Sequence, residues 1–286
     1  MDGAPWLDLQ RPPLRQQALR RALTAPSGPF ARVEVAERTG STNADLLRAA
    51  TGEPAAWPDL SVLTTDSQQA GRGRLDRTWV TPPRSAVAVS VLLRPGVPPS
   101  AWSWLPLLTG AAVAEALRRV AGVAAGLKWP NDVLLEGPDG VLRKVCGVLA
   151  EVLPGAPPPG VVVGIGLNVS QDAGELPVPT ATSLRLAGAA TTDRDTLLRA
   201  VLRRLADDYA TWRDAGGDVL GTGLAARVRE ACWTLGRDVR VELPGGGVLA
   251  GVAEELDDDG RLVVRDAAGG RHPVAAGDVV HARTAG

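Results

Sequence analysis

The chain has 286 residues, 45% hydrophobic and 22% charged, and 31 Lys and Arg balance 32 Asp and Glu to a net charge of -1. That composition suits a globular protein of one large or two smaller domains, and it removes any whole-chain electrostatic basis for nucleic-acid binding. The longest apolar runs fall far short of a membrane span, the acidic, proline-broken N-terminus is not a secretory signal, and Cys146 and Cys232 form neither a disulfide framework nor a metal finger, so a soluble cytoplasmic protein is expected.

Residues 1–30 mix Pro and Arg and hold one short helical stretch, LRQQALRRAL, which is too little for a helix-turn-helix domain. Residues 32–38 alternate as a strand. GSTNADLLRAA then opens a helix that Ser41 or Thr42 can cap. DLSVLTTDS is a strand, QQAGRGRLDRTW a glycine- and arginine-rich loop, and SAVAVSVLLRP a buried strand. Residues 100–120 predict an amphipathic helix with Pro106 in its first turn and Leu105, Leu108, Ala112, Ala116 and Val120 on its buried face. GLKWPNDVLLE, GVLRKVCGVLAEVL and GVVVGIGLNV extend the sheet, and SQDAGELPVPTATSL is a polar loop. Helices are expected over 193–214 and 218–232. From Gly236 the pattern changes to about five short strands with tight turns, the mark of a small β-barrel. The expected class is α+β: a mixed β-sheet flanked by helices, then a small all-β unit. The expected division is an extension over 1–30, a catalytic domain over 31–232 and a C-terminal domain over 233–286.

The scarce residues single out the chemistry. Arg replaces Lys almost everywhere, and only Lys128 and Lys144 remain; the asparagines are Asn43, Asn131 and Asn168. All five lie in short polar motifs. In GRGRLDRTW, Gly71 and Gly73 allow close backbone approach and positive φ, while Arg72, Arg74 and Arg77 put three cations in one loop, enough to hold a polyanion. A solvated flexible loop or an RNA-binding segment has the same composition. In KWPND, Lys128 and Asp132 flank a turn stiffened by Pro130, which suits a phosphate with Mg²⁺ or a plain structural ion pair. Strict alternation puts Lys144 on one face with Cys146, Val148 and Ala150, an apolar face on which a lysine needs a partner such as a ligand carboxylate, or an edge to snorkel from. GSTN offers two hydroxyls and an amide to a polar ligand head, or an N-cap. Asn168, at the end of GIGLN, suits a base or phosphate contact or a turn.

Taken in order and at these separations, GSTN, QQAGRGRLDRTW, GLKWPNDVLL, RKVCGVLAE and VVVGIGLNV closely resemble the biotin protein ligase family over about residues 32–283. The resemblance implies a class II synthetase-like sheet with an SH3-like barrel behind it. It implies an ATP-dependent reaction with Mg²⁺: biotin becomes biotinyl-5′-AMP, and a lysine of a biotin carboxyl carrier domain then takes the biotinyl group. By the same resemblance, Ser41, Thr42, Asn43, Gln68, Gly71, Arg72, Gly73, Arg74, Lys144 and Gly147 hold biotin. Arg74, Arg77, Trp79, Lys128, Asn131 and Asn168 hold ATP, Asp132 the metal, and Arg72, Lys128 and Lys144 are the catalytic set. The partner is the carrier, with no nucleic acid and no membrane, and the assembly is a monomer or a homodimer. Asp76 stands where the family usually has Gly, and the segment between Asp132 and Lys144 looks longer than usual. The short N-terminal extension leads us to expect the monofunctional ligase and no repressor activity.

Overall fold

A computed structural model describes residues 11–75, 77–137, 139–155, 158–243, 246–275 and 277–281. Asp76, the family departure, lies outside the described residues. The chain runs α1 (Gln16–Leu23), β1 (Arg32–Thr39), α2 (Thr42–Gly52), β2 (Ser61–Gln68), β3 (Gly71–Arg72), β4 (Thr78–Trp79), β5 (Ala86–Leu93), α3 (Leu105–Ala121), β6 (Ala125–Lys128), β7 (Asp132–Glu136), β8 (Leu142–Val152) and β9 (Val161–Asn168). It continues with α4 (Arg194–Asp214), α5 (Leu224–Ala231), β10 (Asp238–Glu242), β11 (Val248–Leu256), β12 (Leu262–Arg265), β13 (Arg271–Val274) and β14 (Asp278–His281).

Seven strands form one mixed sheet in the order β1-β2-β5-β9-β8-β7-β6, in which only β1 and β2 run parallel. Period-two alternation gives this sheet two unlike faces. On β5 and β9 one face carries Val87, Val89, Val91, Leu93, Val161, Val163, Ile165 and Leu167, which join the main core under α3 and α4. The other face carries Ala88, Ser90, Gly164 and Gly166, with α2 packed over the end at Leu92 and Val162. Register sets these small residues side by side: Ser90 faces Gly164, Ala88 faces Gly166, and Gly166 faces Gly147 of β8. The result is a flat, low floor on one side of the sheet.

The helix expected over 100–120 is present, preceded by a 3-10 turn over Pro99–Trp104, and Leu105, Leu108, Ala112 and Ala116 are buried. The helix expected from 218 starts six residues later. Asp218 Oδ1 accepts from the amides of Leu220 and Gly221, and Gly223 sits at φ +75°, so a side-chain-bonded turn takes the place of the first helical turn. The C-terminal strands form a five-stranded antiparallel sheet, β13-β12-β11-β10-β14. Its β11–β12 turn is fastened to the start of α3 and to the β6–β7 turn by two indoles: Trp104 Nε1 donates to Asp258 O (2.9 Å) and Trp129 Nε1 to Gly260 O (3.0 Å). No helix among the described residues is long and apolar enough to cross a membrane.

Candidate active site

The polar end of the floor is built from the β1–α2 junction. Ser41 is extended and caps α2, its Oγ accepting from Ala44 N (3.5 Å), while Thr42 and Asn43 turn inward and are buried. Thr42 N and Oγ1 donate to Gln68 Oε1 (2.9 and 3.2 Å). Ser90 Oγ lies 2.5 Å from Asn43 Oδ1 and 2.8 Å from Thr42 Oγ1. Asn43 Nδ2 donates to Leu149 O (3.1 Å) and Glu151 Oε2 (2.8 Å). Asn43 lies flat because position 164 is glycine: a Cβ there would come within 2.2 Å of Asn43 Oδ1. This is a buried cluster of hydroxyls, amides and a carboxylate, held on a helix and strands rather than on loops.

The arginine-rich segment folds back as a ribbon. Strands β3 and β4 pair Gly71 with Trp79 and Arg72 with Thr78, and Gly73 N donates to Arg77 O (2.7 Å). The positive φ expected at Gly71 or Gly73 falls instead at Leu75 (φ 54°), because the two strands keep the glycines paired and put the turn beyond them. Arg72 forms an ion pair with Glu151. Arg74 Nη1 donates to Asn131 Oδ1 (3.2 Å) and Gly277 O (3.4 Å). The Trp79 ring lies on the glycine floor, where a Cβ on Gly166 would reach 2.6 Å from its Cε2. Trp79 Nε1 is buried and finds no acceptor among the described residues, so it is a donor available to a bound molecule.

Lys128 ends β6, and across the hairpin Asp132 opens β7 as its register partner. Asp132 Oδ1 is 2.6 Å from Lys144 Nζ, and that Nζ is 5.8 Å from the Trp79 ring centroid. Lys144 does not share the face of Cys146, contrary to strict alternation. The β7–β8 register shifts so that Val133 faces Cys146 and Leu134 faces Lys144, leaving Val145 as a bulged extra residue. The bulge turns Lys144 onto the floor face: a Cβ on Gly147 would lie 3.2 Å from Lys144 Nζ. Cys146 goes into the core, where burial pushes its thiol well above the ordinary range.

No three His, Cys, Asp or Glu residues converge as a metal site among the described residues. Asp132 therefore offers one carboxylate, which fits a Mg²⁺ that takes its other ligands from phosphate oxygens and water and does not fit an all-protein cage.

The Biotin/lipoate A/B protein ligase family profile matches residues 35–168, and the Biotin protein ligase C terminal domain matches 234–282. The chain is 43% identical, over 96% of its length and 98% of the relative's, to the biotin–[acetyl-CoA-carboxylase] ligase of Mycobacterium tuberculosis. The chain belongs to the biotin protein ligase family. It is also 36% identical to the Paracoccus denitrificans biotin–[acetyl-CoA-carboxylase] ligase, over 85% of this chain and 97% of that one. The solved Aquifex aeolicus biotin protein ligase in complex with biotin and ATP superimposes with a TM-score of 0.70 at 27% identity, covering 89% of this chain and all of that one.

On this biotin protein ligase scaffold most of the residues expected to act sit around one floor. Thr42, Asn43 and Gln68 gather at its polar end, and Gly71, Arg72, Trp79, Lys144, Gly147 and Asp132 lie along it. Asn131 takes a different place: its Nδ2 donates to Val148 O (2.6 Å) and its Oδ1 receives Arg74, so it fastens the arginine ribbon to β8. Asn168 is buried and braces a loop, Nδ2 donating to Thr182 O (3.0 Å) and Oδ1 accepting from Gln171 Nε2 (2.9 Å). Ser90 and Glu151 are members of the site that motif reading passed over. Their signals were faint: a lone hydroxyl in the apolar strand AVAVSVLL, and a lone charge after GVLA.

Proposed function

We propose that the chain is a biotin–[acetyl-CoA-carboxylase] ligase working in two steps. A biotin carboxylate oxygen attacks the α-phosphorus of ATP; the P–O bond to pyrophosphate breaks, and biotinyl-5′-AMP remains. The ε-amine of a carrier lysine then attacks the acyl carbon, AMP leaves with the C–O electron pair, and the amine releases a proton. The observation that carries this reading is the pairing on one floor of a buried polar pocket with a cationic ribbon and a lysine–aspartate pair.

Each end suits one part of the chemistry. Thr42, Asn43, Gln68 and Ser90 offer donors and acceptors together, which matches a cyclic urea head. A pocket built to hydrogen-bond such a head rejects an analogue lacking it by a factor on the order of 10⁴–10⁵, which favours biotin over the dithiolane of lipoate. At the other end two anions must meet. Arg72, Arg74, Arg77, Lys128 and Lys144 supply positive charge for the carboxylate and the phosphates, and this stabilises the reaction where negative charge builds up in the transition state. Lys144 and Arg72 rest on Asp132 and Glu151 and exchange those carboxylates for substrate oxygens. Asp132 would hold Mg²⁺, which adds charge neutralisation of the triphosphate when bound. Ser41 orders the junction as its N-cap, and Gly147 keeps the floor low beside Lys144.

The catalytic unit on this reading spans 31–232 and the SH3-like unit 233–286. The enzyme acts in the cytoplasm on a carrier protein, without nucleic acid or membrane. Incubation with biotin, ATP, Mg²⁺ and a biotin carboxyl carrier domain tests it. Biotin should appear on the carrier and not on a carrier whose target lysine is arginine. A folded, biotin-binding sample that leaves both carriers unlabelled would overturn the assignment.

A further inference from the structure

The segment ahead of α1 reaches the site from behind. Arg11 grips the loop after β9 with a bidentate pair on Glu175 (3.0 and 2.6 Å), and its Nη2 also donates to Ser170 O (2.8 Å). The Arg11 side chain is only 13% exposed. The neighbouring residues are fastened as well. Leu14 N donates to Asp66 Oδ1 (3.1 Å), and Arg194 Nη2 bridges that oxygen (2.7 Å) and Pro12 O (2.6 Å) at a buried ion pair.

The far limb of the gripped loop holds Lys144. Strand β9 ends at Asn168, and its last pairing with β8 joins Leu167 to Cys146, so no β9 residue reaches Lys144. Residues 180–182 turn back to take that place: Lys144 N donates to Thr180 O and Thr182 N donates to Lys144 O, both 2.8 Å. The two limbs are cross-braced, Ser183 Oγ donating to Gln171 O (2.6 Å) and Gln171 Nε2 to Asn168 Oδ1. Charge-assisted, bidentate contacts of the Arg11 kind are both strong and geometrically exacting.

We propose that Arg11 is a positioning residue for the adenylation step: through Glu175 and Ser170 it sets the loop 170–183, and through that loop it sets the backbone of Lys144. The inference rests on the adenylation reading above. The hydrogen bonds of the polar pocket of Thr42, Asn43, Gln68 and Ser90 do not involve this loop, so recognition of the urea head should survive while Lys144, at the carboxylate end, is misplaced.

The test is single-turnover formation of biotinyl-5′-AMP by the full chain carrying Arg11→Ala, Arg11→Lys, Glu175→Ala or Arg11→Ala with Glu175→Ala. The expected result for Arg11→Ala is a rate at saturating substrate lower by on the order of tenfold, since sub-ångström misplacement of a reacting group is costly, with the biotin KM changed less than threefold. Arg11→Lys keeps the charge without the fork and should recover part of the rate. The double variant should be no worse than the more impaired single one, because both single variants remove the same Arg11–Glu175 pair. Amide hydrogen exchange supplies a readout independent of activity: in Arg11→Ala the amides of Lys144 and Thr182 should exchange faster while those of β5 stay protected. Unchanged amides and an unchanged rate would overturn the proposal, as would a rate loss matched by an equal rise in biotin KM. Wild-type protein that forms no adenylate would break the adenylation reading instead, and the amides of Lys144 and Thr182 would still decide whether Arg11 sets that backbone.

Discussion

The two ends of the floor are built by opposite means. At the polar end Thr42 and Asn43 are buried on a helix, Ser90 is buried on the central strand, and their groups bond to one another or to Gln68 and Glu151. At the cationic end Arg72 and Lys144 are partly exposed, on a two-residue ribbon strand and beside a bulge, and each rests on a carboxylate that a substrate can replace. The first arrangement suits recognition, because a buried polar group left without its partner is penalised. The second suits chemistry, because the charge can be redirected as phosphate enters. On the proposed function, one end selects a small neutral head group and the other joins two anions.

Removing charge at the cationic end should cost the most. Lys128→Ala is expected to slow adenylation by on the order of 10²–10³, the cost typical of a preorganised donor. Stopped-flow or quenched formation of biotinyl-5′-AMP would measure it, and a loss of only a few fold would remove Lys128 from the catalytic set. Next comes the polar end. Ser90→Ala strips a buried partner from Asn43 and Thr42, a change worth about 1–3 kcal/mol, or roughly a 5- to 150-fold rise in the biotin Kd. Calorimetry should show that rise while the rate at saturating biotin stays near wild type. A variant that binds normally and turns over slowly would erase the contrast between the ends.

Smaller effects sharpen the same contrast. The ribbon over 71–79 should lose trypsin sensitivity when biotin and ATP are bound, since its arginines then gain anionic partners, and equal cleavage in both states would contradict the exchange of partners. Cys146, on the core face with its thiol pushed up by burial, should resist thiol reagents at pH 8, and rapid labelling would show that the bulge is misplaced. The smallest effect is one of pH. The hydrogen bonds from Arg11 hold the Glu175 carboxyl below its usual range. A depressed carboxylate adds stability above its unfolded pKa and loses it as pH falls through the folded one. Wild type should therefore lose slightly more stability than Arg11→Ala on acidification below about pH 4.5, seen by thermal melts across that range.

Much of this was legible in the sequence. Alternation in AVAVSVLL and GVVVGIGL reads directly as central strands, because one face must be apolar to pack under two helices. The turn-rich tail reads as a small barrel from its short strands and tight turns. Thr42, Asn43, Gln68, Trp79 and Asp132 converge because they lie at strand ends or a strand–helix junction on one side of the sheet, and Gly147 meets them from within β8. What the sequence hid depends on contacts distant in the chain. A single bulged residue, Val145, reverses the face of Lys144, and no local pattern announces it. The resting partners Glu151 and Asp132 appear only when β8 meets the ribbon and β7. Asn168 bonds to residues up to 14 positions away, so its bracing of that loop depends on the loop's path. The delayed start of α5 follows from one aspartate side chain. Arg11 lies 164 residues from Glu175, well beyond any local reading.

Biotin-dependent exchange of pyrophosphate into ATP, run beside lipoate with the purified chain and Mg²⁺, is the sharpest check on the adenylation assignment. The hydrogen-bonding pocket and the cationic ribbon together predict strong exchange with biotin and none above background with lipoate. Exchange with lipoate, or with neither acid in a sample that binds biotin, would overturn the assignment of biotin adenylation to this floor.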